Sequence, residues 1–314
     1  MKYRHDPVML AEAIAALRPR TDGTYVDATT GGAGHLGAII DAVGTKGRIV
    51  ALDKDTQSVE NLANAAARLG QHITIVHDSF LHIKRVLGDL DITGIDGILF
   101  DLGLSSAQVD EAARGFSYMK DGPLDMRYDQ RQAMTAHDVV NNYSERKLSR
   151  LISDFGEERW ASRVAKFIAA KRQSRPIETT GQLVEIIKNA IPAGARRKGG
   201  HPAKRVFQAL RIEVNSELEA LEVGLRDAVD LLRGGGRIVV ISYHSLEDRL
   251  AKSIFRELSA ACICPASVPE CRCDQVPTVE LVGRGATKPA AAEIERNPRA
   301  RSARLRVAEK LSAA

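Results

Sequence analysis

From Thr24 to Asp101 the chain alternates short β-rich runs with helical ones, and that alternation leaves few folds open. Thr24-Tyr25-Val26-Asp27-Ala28 reads as a strand that stops at the turn Gly31-Gly32-Ala33-Gly34, and His35 to Val43 then has helical periodicity. Arg48-Ile49-Val50-Ala51-Leu52-Asp53 is nearly all apolar before its final acid, as a strand buried on both faces should be. Ser58 to Leu69 is helical and Ile73-Thr74-Ile75-Val76 is a third strand. Leu81 to Leu87 is a short helix, and Gly97-Ile98-Leu99-Phe100-Asp101 is a fourth strand, again ending in an acid. Strands joined through helices predict a parallel sheet covered on both faces, an α/β Rossmann-like architecture.

The alternation stops after this point. Residues 110–205 carry loops and helical patterns, clearest over Ala161 to Lys171 and Thr180 to Ala190, with Thr179 or Thr180 able to cap the latter. This block reads as a helical insertion, residues 110–205, within a sheet domain made of residues 1–109 and 206–314. Glu217 to Leu232 is amphipathic and helical, with Gly234-Gly235-Gly236 placed as a C-cap would be. Arg237 to Ser242 is a fifth buried strand, Leu246 to Leu258 a helix, and Ala303 to Val307 a late strand in an otherwise irregular tail.

At 314 residues, with 44% hydrophobic and 27% charged residues, the composition is that of a globular protein of one large or two smaller domains. No apolar run approaches the roughly 20 residues of a membrane helix. Met1 to Asp6 has no apolar signal core, so a cytoplasmic location is expected. The net charge of +5 is compatible with a nucleic-acid partner and does not establish one. Cys262, Cys264, Cys271 and Cys273 fall in one short stretch. Two C-x-C pairs match a zinc site less well than the usual wider spacing, so no metal is assigned.

Gly32-Ala33-Gly34-His35-Leu36-Gly37 is a G-x-G-x-x-G run that follows a strand and opens a helix. Backbone approaches a ligand closely at such a turn, and helix N–H groups face it. Asp53, about 20 residues on, stands where a carboxylate accepts both hydroxyls of a ribose. These features alone suit a nicotinamide cofactor or S-adenosyl-L-methionine. Asp78 and Phe80 after the third strand offer an acid and an aromatic to an adenine, and Asp101 lies beside the position of a methionine end. A helical insertion follows where a dinucleotide enzyme would build a second nucleotide-binding half. S-adenosyl-L-methionine is therefore favoured, on the sheet of a class I methyltransferase.

Longer matches lie along the chain. They are His5 to Leu10, the glycine turn, Asp101 to Asp110, Arg114 to Ser117, Asp121 to Arg127, Gly156 to Arg159, His201 to Ala203, Phe207 to Ile212, Val214-Asn215, Ser242 to Arg249 and Asn297 to Ser302. On these the chain closely resembles the bacterial ribosomal RNA small subunit methyltransferase H, MraW-like, family, which methylates N4 of a cytidine in the decoding region of 16S ribosomal RNA. The resemblance implies cofactor contacts at Ala33, Gly34, His35, Asp53, Phe80, Asp101 and Gln108. Two positions depart from the family pattern. Ala33 replaces a glycine, harmlessly only if its φ is negative, and Ala107 replaces a proline.

The cytosine N4 amine is a poor nucleophile because its lone pair is delocalised into the ring. Holding it in line with a methyl sulfonium helps, as do acceptors for its protons. The loop Asp101-Leu102-Gly103-Leu104-Ser105-Ser106 lacks the prolines and aromatic by which amine methyltransferases often do this, so no catalytic residue is assigned. His244, Ser245 and Asp248 follow the fifth strand and are substrate-pocket candidates, with Ser245 as N-cap and Asp248 at N3 as the plainer role. Basic residues gather at Arg196-Arg197-Lys198 through Lys204-Arg205 and at Arg296, Arg299, Arg301, Arg304 and Arg306, suiting ribosomal RNA, within the small subunit, as partner. The rivals are a nicotinamide-dependent oxidoreductase and a non-catalytic assembly factor on a methyltransferase shell.

Overall fold

The computed structural model describes residues 7–69, 73–196, 200–264 and 270–312. The chain forms two compact units, Met1–Gly103 with Leu218–Ala314, and Leu104–Glu217.

The first unit opens with α1 (Leu10–Leu17), β1 (Thr24–Asp27), α2 (Gly34–Val43), β2 (Arg48–Asp53), α3 (Thr56–Leu69), β3 (Ile73–His77), α4 (Ile83–Asp89) and β4 (Ile95–Asp101). The second unit holds α5 (Ser106–Asp110), α6 (Ala136–Asn142), α7 (Glu145–Asp154), α8 (Ala161–Arg172), α9 (Thr180–Ala190), α10 (Ala193–Arg196) and α11 (Lys204–Asn215). The chain returns to the first unit with α12 (Glu217–Leu231), β5 (Leu232–Ser242), α13 (Ser245–Leu258), β6 (Val279–Leu281), α14 (Ala291–Arg296) and β7 (Arg304–Lys310).

The seven strands form one sheet in the order β3-β2-β1-β4-β5-β7-β6. The first five are parallel, while β7 runs antiparallel to β5 and β6 antiparallel to β7. Successive strand residues face opposite sides. Val26, Ile98, Phe100, Ile238 and Val240 pack with Ile83 and Val86 of α4, Leu221 and Leu225 of α12, and Ile254 and Phe255 of α13. Tyr25, Leu99, Val239 and Ile241 pack on the other side with Leu17 of α1 and Leu36, Ile39 and Val43 of α2. Both faces are therefore covered, which explains why these strands read as continuous apolar runs.

In the second unit Val139, Leu151, Ile168, Leu183, Ile187, Phe207 and Leu210 share one buried apolar cluster. Ser105, Thr135, Ser144 and Thr179 cap α5, α6, α7 and α9. Of the two capping residues proposed for α9, Thr179 does it, while Thr180 is buried and bonded to Lys120 O.

Three expectations need correction. The boundary at 205/206 moves, because Val206, Phe207, Leu210 and Val214 of α11 belong to the helical unit's core. Gly234-Gly235-Gly236 is no helix cap: α12 ends at Leu231 and the glycines lie inside β5, beside a register shift between Ile95 and Gly97. The irregular tail supplies β6 as well as β7, since a three-residue strand is too short to show an alternation.

Candidate functional site

Strand order reverses between β1 and β4: the chain moves outward through β2 and β3, then returns to the other side of β1. Parallel strands bring their carboxyl ends to one edge, and the crevice at such a reversal is where open α/β sheets bind ligands. Asp27, Asp53 and Asp101 close β1, β2 and β4 at that edge.

The turn after β1 is stitched to both neighbours. Thr29 Oγ1 accepts from Asp101 N at 2.6 Å, and Thr30 Oγ1 donates to Leu52 O at 2.7 Å. Gly31, at φ +47°, donates its N–H to Asp53 Oδ2 at 2.7 Å, while Asp55 N donates to Oδ1 at 2.8 Å. The Lys54 N–H is a third donor to this carboxylate, whose two oxygens together offer about four acceptor sites. Burial pushes the Asp53 carboxyl up to about 6 against the N–H groups of Asp55, Gly31 and Lys54.

Asp27 was not singled out from sequence. It is buried, and among the described residues its Oδ1 accepts only a 3.2 Å bond from Thr29 N while its Oδ2 has no partner. Burial lifts its carboxyl to about 7; His35 opposes the rise and the charges of Asp101 and Asp53 add to it. A strand-ending acid was the available signal, since Asp53 and Asp101 were recognised by that position.

His35 Nε2 lies 3.1 Å from Val8 O and Nδ1 3.3 Å from Asp101 Oδ2. Both partners are acceptors, so the ring is suited to carry two protons. Burial opposes that charge, but the hydrogen bond and charge of Asp101, with Asp27, hold the His35 pKa above its ordinary value. The ring thus links Asp101 at the end of β4 to the backbone of Val8. Tyr243, also missed, donates its hydroxyl to Asp101 Oδ1 at 2.7 Å, so both oxygens of Asp101 are engaged.

The glycine turn differs from expectation. Ala33 has φ +61° and ψ 14°, so the harmless case, a negative φ, is not realised. Its methyl packs against the apolar cluster around Leu36 and Ile39. Left-handed backbone at a non-glycine residue costs roughly 1–2 kcal/mol. Gly34 lacks a Cβ for an internal reason, since one there would meet Pro7 Cγ at 2.8 Å.

Phe80 sets its ring edge-on to Phe100, centroids 5.4 Å apart, and lies where a Cβ on Gly224 would touch it at 2.8 Å. Asp78 accepts from Ser79 N and His82 Nδ1, both at 2.7 Å, and pairs with Arg85. Gln108 belongs to the other unit; its side-chain oxygen accepts from Ser105 N at 2.8 Å in the box that caps α5.

After β5 the cap is one residue earlier than expected. His244, in extended backbone, is the N-cap of α13 and Glu247 is N3. Imidazole Nδ1 accepts from Glu247 N at 3.4 Å, while Glu247 Oε2 accepts from Tyr243 N at 2.8 Å and His244 N at 3.2 Å. With Nδ1 an acceptor, the neutral ring's proton sits on Nε2. That atom is buried and 3.1 Å from Glu247 Oε1, yet makes no hydrogen bond among the described residues. Ser245 is the exposed first residue of the helix. Asp248 is paired with Arg306, which donates from Nε to Oδ1 at 2.7 Å and from Nη2 to Oδ2 at 3.1 Å. The same pair occupies the Arg306 guanidinium within the chain. Arg197 and Lys198 lie outside the described residues, as do His5 and Asp6.

A sheet with this strand order, five strands parallel and carboxylates at its switch point, is the Rossmann-like sheet of the class I methyltransferase architecture. A model of the MraW methylase family matches residues 2–311, and the chain belongs to that family. It is 49% identical over 307 residues to "Ribosomal RNA small subunit methyltransferase H" of Halothermothrix orenii, covering 98% of each chain. The protein of the same name from Symbiobacterium thermophilum is 49% identical over 313 residues, covering 100% of this chain and 98% of the relative. That from Clostridioides difficile is 48% identical, covering 99% and 100%. Among the described residues no helix is long and apolar enough to cross a membrane.

Proposed function

We propose that this chain binds S-adenosyl-L-methionine at the carboxyl edge of β1–β4 and methylates N4 of a cytidine in the decoding region of 16S ribosomal RNA. The observation that carries the cofactor is the set of three acids, Asp27, Asp53 and Asp101, close enough that the charges of the other two raise Asp27. Such a field repels a pyrophosphate and favours a ligand with a sulfonium and an ammonium. This argues against a nicotinamide dinucleotide, as membership of a methylase family does. When bound, the cofactor supplies a methyl group on a cationic sulfur.

The chain's own residues then bind and orient. Asp53 receives the ribose hydroxyls on its carboxylate oxygens. Asp101, fixed by Tyr243 and His35, holds its charge beside the methionine end, and Asp27 Oδ2 offers a further acceptor there. His35 also ties Val8, and through it the start of α1, to this edge. His244 Nε2 is the group proposed to meet the cytosine. No strong base is needed, because the proton on N4 can leave after transfer. The name carried by the relatives supports ribosomal RNA of the small subunit as substrate, and a cytoplasmic location follows from that substrate. The helical unit and the basic segments Lys204-Arg205 and Arg296 to Arg301 are proposed to track phosphate, so an assembled or assembling subunit should be a better substrate than a short oligomer.

The test is mass spectrometry of 16S ribosomal RNA from a strain lacking the gene, complemented with the wild type or Asp53→Ala. Loss of the N4-methyl mark, its return with the wild type and its failure to return with Asp53→Ala are expected. A mark that persists in the deletion strain would sink the substrate assignment, and full rescue by Asp53→Ala would sink the site.

A further inference from the structure

The four cysteines are not among the residues that form the carboxyl-edge site described above. They sit in the connection between α13 and β6, a stretch tied at its base by Thr278 N to Leu258 O at 2.8 Å and Gln275 Nε2 to Glu257 O at 3.2 Å. All four are free thiols. Their sulfurs lie within 4.8 Å of one another, with Cys271 Sγ 3.5 Å and Cys262 Sγ 3.8 Å from Cys273 Sγ. Four sulfurs at roughly 2.3 Å from a tetrahedral zinc would be about 3.8 Å apart.

The backbone is arranged for charge on these sulfurs. Cys264 N points to Cys262 Sγ at 3.4 Å, Ile263 N to Cys273 Sγ at 3.5 Å, and Arg272 N to Cys264 Sγ at 3.5 Å. N–H donors around a sulfur are the usual second layer of a thiolate metal site. The plain alternative is that four thiols cluster for packing. Cys262 and Cys271 are exposed, so little apolar burial is gained by gathering them. Weak S–H contacts do not offset the entropy of ordering two surface strands of loop.

We propose that Cys262, Cys264, Cys271 and Cys273 bind one zinc ion as a closed, structural four-thiolate site. All four positions of a tetrahedron are taken by protein, leaving none for substrate or water, and four soft thiolates select zinc over oxygen-seeking cations. The spacing argument against a metal loses its force once the structure brings both C-x-C pairs to one point. The ion clamps the long connection that leads into the edge strand β6.

The test uses the full chain purified under reducing conditions without chelator. Elemental analysis should find about one zinc per chain, falling at least about tenfold in Cys262→Ser/Cys273→Ser. Wild-type protein stripped with chelator and titrated with Co²⁺ alone should develop the sulfur-to-cobalt charge-transfer and visible bands of a tetrahedral four-sulfur site. Zinc should slow alkylation of the four cysteines about tenfold or more relative to stripped protein. The wild-type cobalt and alkylation readings stand even if the double variant does not fold. Protein without bound metal that gives no cobalt bands, zinc unchanged in the double variant, or iron in place of zinc would each overturn the proposal.

Discussion

Aspartates at the sheet's carboxyl edge and aspartates in the helical unit are the same residue put to opposite use. Asp27 and Asp53 are pushed up to about 7 and about 6 because burial is not matched by enough donors. Asp121 is held below the usual carboxylate range by the N–H of Gly181, and Asp138 by the hydroxyl and N–H of Thr135. The helical acids are satisfied by their own unit and finish turns and caps there. Among the described residues Asp27 Oδ2 keeps unused acceptor capacity at the cost of stability, as a group reserved for a ligand does. The two sets differ in burial as well as in donors: Asp27 is enclosed short of donors, whereas Asp121 is exposed and Asp138 half-exposed beside theirs.

The largest effect that would sharpen this contrast is on cofactor binding. Asp53→Ala should weaken S-adenosyl-L-methionine binding by at least about 100-fold, since two charge-assisted hydrogen bonds are lost. Asp121→Ala should leave it unchanged, and titration calorimetry on both variants checks this. Comparable losses in the two would erase the distinction.

Next is Asn215, buried at 2% exposure, whose side chain donates to Met126 O at 2.7 Å and accepts from Tyr128 N at 2.9 Å. Asn215→Ala should cost about 2–3 kcal/mol of stability by leaving buried backbone groups unpaired. Urea denaturation measures it, with cofactor affinity in the folded protein unaltered.

The pH dependence separates the regions by sign. An acid with a raised pKa keeps its proton in the folded state after the unfolded chain has lost it. Asp27 therefore makes stability fall as pH rises from about 4 through about 7. His35, also raised, contributes stability below its unfolded value that is lost as pH rises through the folded one. Asp121 and Asp138 act oppositely: their contribution is present above the usual carboxylate value and lost as pH falls through their lowered ones. Asp27→Asn should reduce the decline between about pH 5 and about pH 8 by on the order of 1–2 kcal/mol, with the His35 part remaining. A steeper decline in the variant would contradict the assignment.

The smallest effect is at Ala33. Ala33→Gly should raise stability by about 0.5–1 kcal/mol, relief of the left-handed strain exceeding glycine's greater freedom in the unfolded chain. A lower melting temperature would mean that the methyl's packing outweighs its strain.

The sequence by itself determined the β1–β4 alternation, the helical character of the block that follows and the edge to which Asp53 and Asp101 belong. Those are properties of local periodicity and of where a run of apolar residues ends, and periodicity survives without a structure. Only the tertiary structure decided that Asp27 Oδ2 is left without a partner among the described residues, that Tyr243 and His35 share Asp101, and that Asp248 pairs with Arg306. It alone showed that Pro7 fills the space at Gly34 and that two C-x-C pairs converge. Each of those depends on a partner distant in sequence or on the sign of one φ angle, and neither leaves a mark in the spacing of residue types.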